Sequence, residues 1–243
     1  MAPQLPQLQQ RYRTKADSVK AEHAKRFFKT GPGQYGEGDQ FLGIRVPDTR
    51  SFLLATDALS EAELVELLQS HWHEERLLAL LALVRRFSRA KRDEAAQARI
   101  VGLYLSQTAH INNWDLVDSS APQILGTWIL NRDRAVLYRL AASTDLWEQR
   151  ISIVATHALI RAMDYTETLL LSEKFLSHPH DLMHKACGWM LREVGKKDRP
   201  ALLGFLDQHA KAMPRTMLRY AIEHLPPGQR HHYMHGGGAT QPL

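Results

Sequence analysis

The segment "INNWDLVDSSAPQIL" (111–125) places an indole and a carboxylate four residues apart, at Trp114 and Asp118. On a helix such a pair shares one face, where it could be presented to a molecule outside the protein. The alternative is ordinary packing, with a core tryptophan beside an aspartate that caps a helix beginning near Ser119–Pro122. Spacing alone favours packing and capping.

Two more positions could take part in a site. Arg150 stands in "LWEQRISIV" among apolar residues, where a long basic side chain can extend from the edge of a core to solvent. Trp189 follows Gly188 in "KACGWMLREVGKK". A glycine inside a strong helical pattern costs about 1 kcal/mol relative to alanine. Gly188 therefore predicts a close approach, more often by a second helix than by a ligand.

Other kinds of chemistry have little support in the sequence. "HEERL" (73–77) begins like a zinc-protease motif but has Leu77 in place of the second histidine. The histidines at 180, 184, 231, 232 and 235 have no third ligand in fixed register, so solvated side chains are the more frequent explanation. Walker, dinucleotide and Ser or Cys nucleophile motifs are absent from the sequence. We expect neither a metal site nor a cofactor.

Helices must position these residues, because helical periodicity recurs nearly everywhere and strand alternation almost nowhere. Ser60 and Glu63 form a capping-box pattern, and the segment 30–48 has five glycines and two prolines, which predicts a loop with special backbone conformations. The predicted helices are 12–29, 59–70, 73–90, 92–108, 114–120, 122–130, 132–143, 145–163, 165–176, 181–196, 199–211 and 214–224.

A weak internal repeat links several of these helices. Amphipathic segments at 73–86, 147–161, 183–197 and 214–226 recur about every 32 to 42 residues, a spacing typical of stacked HEAT-type helical pairs. Each has a basic residue near its start, namely Arg76, Arg150, Lys185 and either Arg215 or Arg219. The pattern predicts an all-α, HEAT-like α-α superhelical solenoid with a concave basic face that binds a duplex backbone. A closed helical bundle is the alternative.

The bulk composition agrees with a globular protein that has a polyanionic partner. The chain has 243 residues, of which 44% are hydrophobic and 23% charged, and a net charge of +5. Its pI is near 9.4, which favours nucleic acid over an acidic partner. A single cysteine, no apolar run of membrane-spanning length and no signal-peptide core predict a cytoplasmic protein without a membrane partner.

Five segments together resemble the HEAT-like bacterial DNA alkylation-repair glycosylases of the AlkD family. They are "FLGIRVPDTR" (41–50), "HEERLLALLALV" (73–84), "NNWDLVDSSAPQILG" (112–126), "LWEQRISIVATHALI" (146–160) and "HKACGWMLREVGKK" (184–197), in family order across about residues 12 to 226. Two departures are Asn113, where some members carry a second aromatic residue, and a longer, more glycine-rich loop at 30–40.

The resemblance implies a monofunctional glycosylase that removes N3- and N7-alkylated purines such as 3-methyladenine and 7-methylguanine from duplex DNA. It implies catalytic roles for Asp118, Trp114 and Trp189, and a phosphate contact for Arg150. With the basic repeat positions Lys185, Arg76 and Arg219, these residues are our predicted site. Trp114 and Asp118 should then face the groove and not the core.

The same reading predicts a monomer that works at the bacterial nucleoid. It divides the chain into a flexible N-terminus (1–11), a single domain (12–226) and a disordered tail (227–243). Two alternatives stay open: a HEAT-type protein-interaction scaffold without chemistry, and a catalytically silent relative that binds DNA.

Overall fold

The computed structural model describes residues 4–236, which are all-α as predicted. Within that range no β-strand is present, and only an isolated bridge joins Gln40 to Trp72. The α-helices are α1 (Leu5–Arg13), α2 (Ser18–Phe27), α3 (Val46–Ser51), α4 (Glu61–Leu68), α5 (His73–Arg89), α6 (Glu94–Ser106), α7 (Trp114–Asp118), α8 (Ala135–Ala141), α9 (Leu146–Ala155), α10 (His157–Arg161), α11 (Thr166–Lys174), α12 (Asp181–Lys197), α13 (Arg199–His209), α14 (Arg215–Ala221) and α15 (Pro227–Met234).

Shorter helical turns connect some of these helices. Turns of 3-10 helix lie at Ala55–Ala58, Thr108–His110 and Ile129–Asn131, and a π-helical turn lies at Pro122–Gly126. The segment 122–130, predicted as one helix, is therefore a π-helical turn followed by a 3-10 turn. No helix among residues 4–236 is long and apolar enough to cross a membrane.

The described residues fall into two compact units, divided between Ser120 and Ala121. The sequence predicted a single domain over 12–226. The first unit is built around α5, which packs against α3, α4, α6 and α7. Every residue of α5 from His73 to Leu83 is buried. A helix buried on all sides must satisfy its polar residues internally, and α5 begins with four of them, "HEER".

The second unit is built around α12, which packs against α9, α10, α11, α13 and α14. Gly188 of α12 makes the contact with α14 so close that an added Cβ would lie 2.5 Å from the carbonyl oxygen of Met217. The predicted close approach at Gly188 is thus confirmed, and the approaching group is a helix. Consecutive helices pack together, α8 with α9 and α11 with α12, as expected for a helical-pair repeat.

Polar caps set where several helices begin. The predicted capping box is confirmed: Ser60 Oγ accepts a hydrogen bond from the Glu63 backbone N–H, and the Glu63 carboxylate accepts one from the Ser60 backbone N–H. Aspartates 17, 93, 145 and 198 cap α2, α6, α9 and α13 by accepting bonds from first-turn N–H groups.

The expected flexible N-terminus is corrected by the structure, because α1 occupies Leu5–Arg13. Leu5, Leu8 and Tyr12 of this helix are buried. The carboxylate of Glu63 also accepts hydrogen bonds from the backbone N–H groups of Gln4 and Leu5, at 2.7 and 3.0 Å. These contacts lie 58 or 59 residues away in the sequence, so local composition could not indicate them.

The expected disordered tail is corrected in part. Residues 227–234 form α15, in which Tyr233 is buried and its hydroxyl donates to Asp207 Oδ1 at 2.7 Å. One aromatic anchor thus orders a segment whose composition is polar and rich in histidine. The remainder of the predicted tail, 237–243, lies outside the described residues.

Candidate active site

The short helix α7 carries the Trp114–Asp118 pair. Asn113 begins it, with extended backbone and a side-chain oxygen that accepts from the Trp114 N–H at 2.9 Å. Leu116 and Val117 are fully buried, whereas Trp114 and Asp118 are both partly exposed. The pair therefore lies outside the core, as predicted for this helix.

The capping alternative for Asp118 is not what the structure has. Asp118 is the last residue of α7, and the following π-helical turn has Ala121 at its N-cap position without a side-chain cap. Burial is the main cause of the raised pKa of Tyr104, and the negative charge of Asp118 raises this pKa further. The Tyr104 hydroxyl is hydrogen-bonded to Ser120 Oγ at 3.2 Å.

Trp114 lies at the edge of a cluster of four rings. Its indole stacks on Phe28 (centroids 5.4 Å apart), Phe28 stacks on Phe41 (5.1 Å), and Phe41 stacks on the imidazole of His73 (4.7 Å). Phe27 meets Trp114 edge-on at 5.9 Å and is 56% exposed. This ring cluster covers one face of Trp114, and Phe27 adds an exposed aromatic ring beside it that the sequence analysis did not predict.

The imidazole of His73 joins two carboxylates inside the first unit. Nε2 donates to Asp115 Oδ2 at 2.8 Å and Nδ1 donates to Asp39 Oδ2 at 3.3 Å. Asp39 also accepts from Arg76 at 2.6 Å and from the Asn113 side chain at 3.1 Å. Asn113, a departure from the family pattern, thus both caps α7 and ties it to the glycine-rich loop.

That loop is anchored to α5 at a second point. Glu74 accepts three backbone hydrogen bonds, from Leu42, Gly43 and Ile44, at 2.9, 2.7 and 3.2 Å. Gly43 has a φ of +77°, and a Cβ there would lie 2.1 Å from the Asp17 carbonyl oxygen, so only glycine fits. The special backbone conformations predicted for the loop are confirmed.

A cavity of about 260 Å³ opens beside this network. Phe28, Phe41 and Leu77 give it apolar walls, and Asp115 and His73 also line it. Because both ring nitrogens of His73 are already bonded to carboxylates, Asp115 is the acceptor that the network presents here.

The predicted phosphate contact of Arg76 is corrected. Its side chain is only 4% exposed, and its guanidinium binds Asp39 and the carbonyl oxygen of Ser70 (2.9 Å). A buried arginine that is already paired with a carboxylate has no surface to offer a phosphate. Burial at the start of α5, which the apparent repeat could not reveal, accounts for the error.

The second unit holds the other predicted residues. Trp189 is half-buried on α12, with its ring 5.9 Å from that of His157. Arg150 on α9 is 5% exposed, and its Nη1 donates to the carbonyl oxygen of Leu182, in the first turn of α12, at 2.6 Å. The predicted reach of Arg150 to solvent is therefore limited.

The remaining two cations of the prediction are more accessible. Lys185 forms an ion pair with Asp181 at 2.8 Å while its side chain stays 40% exposed, and Arg219 on α14 is exposed. The structure thus brings Trp114 and Asp118 together in the first unit, and Trp189, Lys185 and Arg219 onto the packed pair α12 and α14 in the second.

The sequence reading missed His73, Asp39 and Asp115. No local motif marks them, because in the sequence His73 lies 34 residues from Asp39 and 42 residues from Asp115. One signal was present: four consecutive polar residues open α5 and are followed directly by an apolar run over 77–84. Such a run on a buried helix indicates an internal hydrogen-bond network.

Comparison with known proteins agrees with these features. A family model described as "DNA alkylation repair enzyme" matches residues 8–225. The chain is also similar to a solved structure described as a predicted DNA alkylation repair enzyme from Enterococcus faecalis, with a TM-score of 0.67 and 15% identity over 88% of this chain and 98% of that one. That likeness shows a shared fold. None of the curated proteins matches the chain. Because the family model spans most of its length, the chain belongs to the DNA alkylation repair enzyme family.

Proposed function

We propose that this protein is a monofunctional DNA glycosylase that hydrolyses the N-glycosidic bond of cationic N3- and N7-alkylated purines in duplex DNA. The observation that carries the proposal is the position of Trp114 and Asp118 on α7, in a chain that belongs to a DNA alkylation repair family. The helix buries its other face and leaves the carboxylate of Asp118 and the indole of Trp114 outside the core.

The reaction suits a site with a carboxylate and no general acid. Alkylation at N3 or N7 makes the purine cationic, so the base departs as a neutral molecule without being protonated. Cleavage of the bond from C1′ to the base nitrogen builds positive charge on the sugar, as in glycoside hydrolysis. Water then adds to C1′ and releases one proton. Asp118 stabilises the charged sugar and orients that water.

The aromatic and basic residues have supporting roles in this proposal. The ring faces of Trp114 and Trp189 favour the positive charge that develops on the deoxyribose. Arg219, which is exposed, and Lys185, whose side chain is 40% exposed, neutralise phosphates. The proposal also gives Arg150, which is 5% exposed, a phosphate contact. The protein acts as a monomer on double-stranded DNA in the cytoplasm, and the reaction itself needs no cofactor.

Base release from methylated DNA tests the proposal. Duplex DNA treated with a methylating agent is incubated with the protein, and released 7-methylguanine and 3-methyladenine are quantified by chromatography. We expect release by the wild type and a loss of about 10²–10³ in rate for Asp118→Asn, because a fixed electrostatic group of this kind is commonly worth that much. Asp118→Asn should keep the DNA affinity and melting temperature of the wild type.

Asp133→Asn is the matched control. Asp133 is an exposed aspartate whose carboxylate accepts a hydrogen bond from the Ala135 N–H at 2.6 Å, and the proposal gives it no role. We expect this variant to release bases at the wild-type rate. A wild type that binds methylated duplex without releasing bases would identify a non-catalytic DNA-binding protein, and near-normal release by Asp118→Asn would remove Asp118 from the mechanism.

A further inference from the structure

The polar network at the start of α5 is buried and has no part in the chemistry proposed above. Its centre, His73, is 2% exposed and uses both ring nitrogens on carboxylates. Burying an imidazole between two carboxylates is costly unless every partner is in place. Such an arrangement fixes the geometry of whatever carries those partners.

One carboxylate of the network belongs to the proposed active-site helix. Asp115 follows Trp114 directly and stands three residues before Asp118 on α7. Its Oδ2 accepts from His73 Nε2 at 2.8 Å, and its Oδ1 accepts from the Leu116 backbone N–H at 2.9 Å. His73 therefore binds the first turn of α7 to the buried helix α5.

The second carboxylate holds the start of the same helix. Asp39 accepts from His73 and from the side-chain amide of Asn113, the N-cap residue of α7. Arg76, one turn along α5, donates to the other oxygen of Asp39 at 2.6 Å. The N-cap and the first turn of α7 are thus held by two carboxylates that share one imidazole.

The ring of His73 also supports Trp114 through the ring cluster. Its centroid lies 4.7 Å from that of Phe41 and 4.9 Å from that of Phe28, on which Trp114 stacks. The helix that carries both proposed catalytic side chains is therefore connected to His73 by an ion pair and by ring packing.

We propose that His73 is a positioning residue of the glycosylase, which sets the position of α7 and hence of Trp114 and Asp118 without touching the DNA. This inference rests on the proposed function. A displacement of about 1 Å in a reacting group can cost on the order of 10²-fold in rate. A helix of five residues has few internal hydrogen bonds with which to hold its own position.

Two conservative variants separate the contacts of His73. In His73→Gln the side-chain amide can reach the place of Nε2 and donate to Asp115. In His73→Asn the shorter amide can reach the place of Nδ1 and donate to Asp39. Both variants lose the ring and its stacking equally, so the difference between them shows which contact, with Asp115 or with Asp39, matters more for the position of α7.

The measurement is single-turnover base release at saturating protein, together with DNA affinity. We expect His73→Asn to lower the rate by about tenfold to a hundredfold and to change the dissociation constant by less than about threefold, because phosphate contacts are untouched. We expect His73→Gln to recover most of the lost rate.

Glu75→Gln is the matched control for mere destabilisation. Glu75 is a buried residue of the same helix, but its carboxylate binds Arg13 of α1 at 2.7 Å and the hydroxyl of Ser70, on a different side of α5 from the partners of His73. We expect Glu75→Gln to lower the melting temperature as much as His73→Asn does while keeping the wild-type rate. Equal rate losses in the two variants would overturn the positioning role, as would a normal rate in His73→Asn.

A readout without catalysis keeps this inference distinct from the proposed function. Acrylamide quenching of each protein, minus that of its Trp114→Phe counterpart, reports the accessibility of Trp114 alone. We expect Trp114 to be more accessible in His73→Asn than in His73→Gln or in Glu75→Gln. If the wild type releases no base but this order holds, the proposed function fails and His73 still positions α7. Identical quenching in all of them would overturn the inference.

Discussion

At the scale of single residues, His73 shows how a buried group stays charged. Burial is the largest influence on its pKa and lowers it, but the nearby carboxylate of Asp115 and the hydrogen bonds to Asp115 and Asp39 together outweigh burial, against opposition from Arg76. The pKa of His73 is raised to about 9. Burial is also the largest influence on the pKa of Asp39 and raises it, but the hydrogen bond from His73 and the charge of Arg76 outweigh burial and lower the pKa. The imidazole of His73 is therefore protonated at neutral pH, where it donates to Asp115 and Asp39.

This charge predicts a loss of stability at alkaline pH. Because the folded pKa of His73 lies above the unfolded value near 6.5, its contribution is complete below about pH 6.5 and is lost as the pH rises through about 9. The contribution is on the order of 3 kcal/mol, since one pKa unit corresponds to about 1.4 kcal/mol. Urea denaturation at about pH 6, 7.5 and 9.5 measures it as the difference in unfolding free energy between wild type and His73→Gln.

The comparison with His73→Gln removes the titration of all other groups that both proteins share. We expect the advantage of the wild type to be constant up to neutral pH and to shrink between about pH 7 and 9.5. An advantage that does not change with pH would mean that His73 is neutral in the folded protein and that its two carboxylates do not hold a proton between them.

At the scale of helices, the crossing of α12 and α14 depends on one missing side chain. A Cβ on Gly188 would lie 2.5 Å from the Met217 carbonyl oxygen and 2.6 Å from the Tyr220 Cβ. Backbone cannot give way as a flexible side chain can, so α14 would have to move. Gly188→Ala should therefore lower the free energy of unfolding by about 1–3 kcal/mol, the usual cost of overpacking, as measured by urea denaturation.

Gly204→Ala is the control for this effect, in the neighbouring helix α13. Nothing lies within 4 Å of a Cβ at Gly204, and the residue is exposed. Alanine is the better helix former by about 1 kcal/mol, so this variant should gain stability. If both substitutions stabilised the protein, the close crossing at Gly188 would not exist in solution.

The helices themselves were largely predictable from the sequence. Periodicity, the Ser60–Glu63 capping box and the glycine-rich loop indicate most helices from α4 to α14 to within a few residues, because packing there follows local pattern. The segment 145–163, predicted as one helix, is instead α9 and α10. The helix α1 was not predictable, since its order comes from Glu63 and from the burial of Leu5 and Tyr12 far along the chain. Long-range contacts, which local sequence pattern does not reveal, therefore order α1.

The candidate site likewise contains residues that the sequence could predict and residues that it could not. Trp114 and Asp118 could be proposed from the sequence because the resemblance supplied them, and their place outside the core agrees with it. Asp39, His73 and Asp115 could not, because their meeting depends on how the glycine-rich loop, α5 and α7 pack. The phosphate contact predicted for Arg76 rested on its charge alone, and it was wrong because Arg76 is buried against Asp39.

At the scale of the whole molecule, the net charge of +5 matters only where cations are exposed and able to meet phosphates. Arg76 does not contribute, and Arg150 is almost buried. Arg219 is exposed on α14, the helix packed on α12, which carries Trp189 and Lys185. Arg219 is therefore the predicted phosphate ligand whose removal should affect binding most directly without disturbing the fold.

The dependence of DNA affinity on salt tests this assignment. Each phosphate contact releases condensed counterions, so the slope of log affinity against log salt should fall by about 1 in Arg219→Ala. Arg89→Ala is the control, because the Arg89 guanidinium already binds Asp57 at 2.7 Å although its side chain is 56% exposed. We expect its slope to equal that of the wild type. A wild-type slope in Arg219→Ala would place the DNA away from α14, whereas a reduced slope in both variants would indicate that general positive charge, and not a defined contact, attracts the duplex.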